Sequence, residues 1–239
     1  MHNSLNNLSL KWIYLAWVPL VPAVVIMGSI GAIVQGDPEP FIENKLGFGD
    51  IGIFALGLYG LGLLLAVLLL HRNLESFSLS LKDIGLTGSI TPLAAVYILA
   101  AIALDSLLLF PGAQWLTGQF GIPFFWDGSG SFNFASGLDI VTAFIAAVLI
   151  SPVAEEIMFR GYLLNALLGK GFNRFTAALL AAIIFASVHV FFGPGFIFYI
   201  ILWAMIPTYL YLKFKSLYPA ILFHLLNNLL AYMVIPLFS

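Results

Sequence analysis

Long apolar stretches in the second half of the chain are interrupted by Glu155, Glu156 and Arg160, then by His189, then by His224, Asn227 and Asn228. An earlier apolar stretch holds Asp105. Polar and ionisable groups are costly in such surroundings, so each one is a functional hypothesis. Helical spacing sorts them. Glu156 and Arg160 stand i,i+4 with the acid on the amino side, the orientation that favours an ion pair. Glu155 is i,i+5 from Arg160 and about 100° round the axis from Glu156, so it points elsewhere without a compensating charge. Glu156 therefore reads as structural and Glu155 as chemical.

A desolvated carboxylate beside imidazoles is a candidate general base. His189 can bring one imidazole. His224 and Asn228 are i,i+4 and share a face; Asn227, i,i+3 from His224, can share it too, and spacing does not choose between the asparagines. Imidazole N–H and carboxamide NH2 groups suit the oxyanion formed when water attacks an amide carbonyl. Together these side chains supply a base, a positioner and donors for peptide hydrolysis. Each also has a plainer role: Glu156–Arg160 as a helix lock, a histidine on a backbone carbonyl, an asparagine as interhelical glue. Asp105 has no partner visible in the sequence and reads as a packing or supporting residue. The ordered combination on three helices is what singles out chemistry.

The elements that must hold these groups are membrane helices. Of 239 residues, 62% are hydrophobic and 8% charged, and the mean hydropathy is +1.05. Soluble domains are about 45–50% apolar and about 25% charged. Nine Lys+Arg against 11 Asp+Glu leave no basic surplus for nucleic acid. The absence of cysteine removes disulfides, thiolate metal sites and thiol nucleophiles.

Runs of about 20 apolar residues predict an all-α, polytopic transmembrane bundle of about seven spans in a single integral-membrane domain, residues 1–239. The expected spans are Trp12 to Val34, Ile51 to Leu70, Ile90 to Phe110, Leu138 to Leu168, Phe175 to Phe192, Phe196 to Leu212 and Tyr218 to Phe238. The first is too long for a signal-peptide core and reads as a retained helix bent near Pro19 and Pro22. The fourth is too long for the bilayer, so it must tilt, break near Ser151-Pro152 or project. Assigning alternate loops to the cytoplasm, from the amino-terminal tail onward, collects Lys11, Arg72, Lys82, Lys170, Arg174, Lys213 and Lys215 on that side and Lys45 alone on the other. This bias predicts a cytoplasmic amino terminus.

The three motifs read Glu155-Glu156-Ile-Met-Phe-Arg160, Phe185-Ala-Ser-Val-His189 and His224-Leu-Leu-Asn-Asn228. In this order they resemble the CPBP family of intramembrane proteases, the CAAX-processing and bacteriocin-processing group also called the Abi family. Residues 138–239 carry the resemblance. It implies an endopeptidase acting within or at the edge of the bilayer on membrane-associated, prenylated or leader peptides. Carried over by position, Glu155 and His189 would activate water, His224 and Asn228 would stabilise the oxyanion, and Glu156 and Arg160 would hold the constellation. A single Zn2+ on Glu155, His189 and His224 is the alternative to direct water activation; no His-Glu-x-x-His motif is present.

The expected partners are a membrane-associated peptide or protein substrate and the lipid bilayer, with no nucleic acid. Compact size and short loops suggest a prokaryotic cell membrane, with the site open to the cytoplasm. Two competing readings are a proton-coupled transporter component using Glu155, His189 and Asp105, and a non-catalytic immunity or scaffold protein. Counted inward along their helices, His189 lies about 21 Å deep and His224 about 10 Å, so the helices must be tilted or staggered for the imidazoles to meet.

Overall fold

The computed structural model describes residues 8–21, 23, 45–124 and 134–235. All regular structure among them is helical. Among the described residues, six helices build the bundle: α1 (Ile51–Ser76), α2 (Pro92–Gln119), α3 (Gly137–Gly169), α4 (Arg174–Ser187), α5 (Pro194–Phe214) and α6 (Leu217–Val234). All but α4 are long and apolar enough to cross a membrane. Their outward faces expose large apolar side chains such as Leu61, Leu68, Leu99 and Leu107, as lipid contact requires. The protein is an all-helical integral membrane protein.

Polar residues mark the helix starts. Thr91 accepts from Ala94 N–H at 3.1 Å, and Pro92 occupies the first turn of α2, where its missing N–H costs nothing. Asn173 caps α4 through Thr176 N–H at 2.9 Å. Ser136 and Asp139 form a capping box on α3. The fully buried Asp139 carboxylate also accepts from Gly49 N–H at 3.0 Å. One side chain thus ties the entry of α1 to the start of α3.

Two expectations are corrected by π-helical segments. The third span was expected to end at Phe110, yet α2 runs on to Gln119 through a π segment at Asp105–Leu109, directly before Pro111. A break was one outcome expected near Ser151-Pro152. Instead α3 is continuous for 33 residues, with a π segment at Phe144–Ile150 before Pro152 and another at Glu156–Leu164. Proline removes a donor and crowds the preceding turn; a widened turn of i→i+5 bonds just ahead of it accommodates both effects without a break.

The expected fifth span is shorter than a bilayer crossing. Helix α4 has 14 residues, about 21 Å, and is followed by a 3-10 turn at Val190–Phe192. Gly193 then adopts φ 90°, a conformation that favours glycine, and Pro194 opens α5. Most of the expected first span, residues 24–34, lies outside the described residues, and Leu10–Ala16 is a 3-10 helix.

Helix α4 packs on α5, α5 on α6, and α1 along α3. The α1–α3 contact is close because Gly60 has no side chain. A Cβ there would stand 3.1 Å from Ala146 Cβ and 3.3 Å from Ala146 Cα. Several basic connections meet at one end of the bundle. Tyr162 donates to Ser9 O and Asn73 Oδ1, Tyr211 donates to Ile84 O, and Asn165 donates to Tyr211. These bonds join the segments that carry Lys11, Arg72, Lys82, Lys170 and Lys213.

Candidate active site

Arg160 is buried in the π segment of α3, and each of its three guanidinium nitrogens makes a hydrogen bond. Nη1 donates to Glu156 Oε1 at 2.9 Å, Nη2 to Ala204 O at 3.0 Å, and Nε to Thr208 Oγ1 at 3.3 Å. Its Cζ lies 4.6 Å from the Phe185 ring centroid, a cation–π contact in a dry site. The planar fork suits this multiple engagement in a way an ammonium does not. Arg160 thereby ties α3 to α5 and to α4.

His224 stands between the two glutamates. Its Nδ1 lies 2.9 Å from Glu156 Oε1, and its Nε2 lies 3.8 Å from Glu155 Oε2. Glu156 can only accept from its neighbours when ionised, so Nδ1 carries a proton. Trp203 packs edge-on against the imidazole with centroids 4.7 Å apart. Glu155 receives a hydrogen bond from the Tyr59 hydroxyl, 3.1 Å from Oε1. Nothing in the sequence marked Tyr59: it is one aromatic residue in an apolar helix, and its partner is 96 positions away.

His189 ends its own helix. In a continuing helix the Phe185 carbonyl would accept from His189 N–H. Here His189 N–H bonds instead to Ala186 O, and the side-chain Nδ1 takes Phe185 O at 3.1 Å. A carbonyl only accepts, so Nδ1 is the protonated nitrogen and Nε2 keeps its lone pair. The Phe185 ring lies 4.8 Å from the His189 ring and 6.2 Å from the His224 ring, centroid to centroid. The two imidazoles therefore flank one phenylalanine.

Asn228 donates through Nδ2 to Ala147 O at 2.8 Å. That carbonyl has a local reason to need a partner. Ser151 N–H bonds to Ala146 O, so Ala147 O would next look to Pro152, which has no N–H. One Asn228 N–H fills the gap and the other is left over. Asn227 turns to Asp105, donating to Oδ2 at 2.7 Å. Tyr199 donates to Asp105 Oδ1 at 3.0 Å. Asp105 thus has two partners from distant helices, neither of them legible from spacing.

These residues surround a cavity of about 590 Å³. Tyr59, Glu155, His189, His224, Asn227 and Asn228 all line it, within walls supplied by Phe185, Phe192, Phe196, Tyr199 and Trp203. Glu156 and Arg160 do not line it. The glutamates therefore face different surroundings: Glu155 the cavity, Glu156 the buried ion pair. No group of three or more His, Asp or Glu side chains among the described residues is arranged to hold a metal ion. His224 commits Nδ1 to Glu156 and His189 commits Nδ1 to Phe185 O, leaving one imidazole nitrogen each. Each Nε2 is left free with Nδ1 held by a protein acceptor, an arrangement that also suits an imidazole metal ligand.

The ordered motifs and this cavity invite comparison with known families. Residues 137–230 match the model of the Rce1-like family, described as type II CAAX prenyl endopeptidase Rce1-like. That match agrees with the CPBP resemblance of the three motifs. The matched segment runs from the start of α3 to Leu230, where α6 becomes π-helical, and contains Glu155, Glu156, Arg160, His189, His224 and Asn228. Tyr59 and Asp105 lie outside it. No curated protein and no solved structure matches the chain.

Proposed function

We propose that the protein is an intramembrane endopeptidase in which Glu155 acts as the general base on water. The carrying observation is that Glu155 lines the same cavity as both imidazoles while Glu156 is held by Arg160 outside it. Water bound between Glu155 and His189 gives a proton to the Glu155 carboxylate, with His189 Nε2 accepting its second hydrogen. The oxygen attacks the substrate carbonyl carbon, and the carbonyl π electrons move to oxygen. The oxyanion then re-forms the carbonyl as the C–N bond breaks, and the bonding pair leaves on nitrogen, which takes the proton from Glu155.

His224 and the remaining Asn228 N–H are the oxyanion donors in this scheme. As an oxyanion donor in this scheme, His224 carries a hydrogen on each ring nitrogen. In that form Nδ1 donates to Glu156, and Nε2 donates into the cavity where the oxyanion develops. Tyr59 holds the Glu155 carboxylate so that Oε2 faces the reaction side. No step passes through a metal.

The substrate class is a membrane-associated peptide, with prenylated CAAX peptides the first candidates because of the family match. The basic end of the bundle is read as cytoplasmic, and the cavity is lined by the opposite ends of α1, α5 and α6, with Gly52, Phe196 and Tyr232 among the lining residues. The test is cleavage of a panel of fluorogenic peptides, with and without an isoprenyl cysteine, by purified protein. Glu155→Ala is expected to abolish cleavage in a folded preparation, whereas Arg160→Lys mainly lowers stability. Unchanged cleavage by Glu155→Ala overturns the proposal.

A further inference from the structure

Asp105 is a buried carboxylate that the hydrolytic scheme leaves unused. It opens the π segment of α2, receives the Tyr199 hydroxyl on Oδ1 at 3.0 Å and receives Asn227 Nδ2 on Oδ2 at 2.7 Å. An ionised carboxylate only accepts. The Asn227 carboxamide can therefore stand one way round, with its NH2 on Asp105 and its Oδ1 directed away. Asn227 lines the cavity, and Oδ1 has no partner among the described residues. Tyr199 is wedged among Phe110, Phe124 and Phe196, so the hydroxyl that holds Asp105 is itself fixed.

Neighbouring asparagines on α6 thus offer the cavity opposite functions. Asn228 has an N–H to spare beyond the one on Ala147; Asn227 has a carbonyl oxygen. They lie about 100° apart round the helix. An extended peptide presents carbonyl and N–H groups alternately along its backbone, so a donor and an acceptor side by side form a complement to one stretch of it. We infer that Asn227 is a substrate-binding residue whose Oδ1 accepts a backbone N–H next to the scissile carbonyl, with Asp105 and Tyr199 as its positioning residues. This role presupposes the hydrolytic activity proposed above. The ligand is a peptide bound in extended form with a secondary amide at that position, and proline is excluded there because it has no N–H.

A substrate–enzyme double-mutant cycle tests this. A fluorogenic peptide cleaved by the wild type is remade with each flanking amide replaced in turn by an ester, which removes the N–H and keeps the shape. At one position the ester should lower wild-type kcat/KM by about tenfold, the effect of one hydrogen bond. The same ester should leave Asn227→Ala unaffected, and esters elsewhere should cost both enzymes equally. A purely structural role for Asn227 lowers stability and overall rate but creates no such position-specific coupling. Should Asn227→Ala not fold, Tyr199→Phe serves: it keeps the packed ring, frees Asp105 and is expected to weaken the coupling. Wild-type cleavage that Glu155→Ala abolishes, with no coupling at any ester, overturns this role alone. A folded wild type that cleaves no peptide in the panel overturns the hydrolase reading and this role with it.

Discussion

The Tyr59 hydroxyl donates to Glu155 Oε1 at 3.1 Å, across 96 residues of sequence. Tyr59 belongs to α1, outside the segment that matches the protease family. One hydrogen bond therefore couples the amino-terminal half of the bundle to the carboxylate assigned the chemistry. Tyr59→Phe keeps the ring in the cavity wall and removes only this donor. It is expected to lower kcat by about ten- to a hundredfold, the range for hydrogen bonds to charged groups, with KM little changed. Steady-state kinetics on a cleaved peptide check it, and an unaltered kcat contradicts it.

Gly60, the next residue, sets how closely α1 approaches α3. Any side chain there meets Ala146 at 3.1–3.3 Å. Gly60→Val is expected to push the helices apart and lengthen the Tyr59–Glu155 contact, lowering activity by at least as much as Tyr59→Phe. Combining both substitutions should then add little, because the same bond is already lost. Full additivity would count against this route.

Replacing Arg160 separates charge from geometry. Arg160→Met leaves Glu156 buried beside His224 without its guanidinium, a change that typically costs about 3–5 kcal/mol. Arg160→Lys keeps the charge but cannot serve Ala204 O, Thr208 and the Phe185 face at once, so an intermediate loss is expected. Thermal unfolding in detergent orders the three proteins as wild type, Lys and Met. Equal stability for Lys and wild type would show that charge alone suffices.

Metal dependence has a direct readout. The proposed scheme runs on Glu155 and water, with no step through a metal. Peptide cleavage is expected to survive prolonged chelation, and elemental analysis should find no stoichiometric zinc. Loss of activity on chelation, restored by added zinc, contradicts the metal-free scheme.

What could be read from the sequence follows from the range of each interaction. Glu156 and Arg160 share a helix at i,i+4, so their ion pair is visible as spacing. The apolar runs are visible as composition, and the all-helical membrane fold follows from them. Span limits were less legible. Helix α2 passes Pro111, and α3 passes Pro152, because π segments take up the missing bonds. Helix α4 stops at Ser187, where the His189 side chain competes with its own backbone for Phe185 O. The Phe-x-x-x-His spacing, weak as a sequence signal, thus describes a helix terminus that aims an imidazole.

The partners of Tyr59, Asp105 and Asn228 were not legible at all. Each reaches across 81 to 122 positions to a residue with no periodic relationship to it. Asn228 is the instructive case. The family resemblance implies an oxyanion role for Asn228, and one of its two N–H groups already answers a carbonyl orphaned by Pro152.

The division of labour between the adjacent glutamates is tested most directly by comparing Glu155→Gln with Glu156→Gln for peptide turnover and thermal unfolding. Glu155→Gln should lose about 10²–10⁴-fold in kcat, the contribution of a general base, while its melting temperature stays near that of the wild type. Glu156→Gln should instead show its main loss in stability, because it weakens the contacts to Arg160 and His224. Turnover by Glu155→Gln at the wild-type rate would contradict the assignment of that carboxylate as the base.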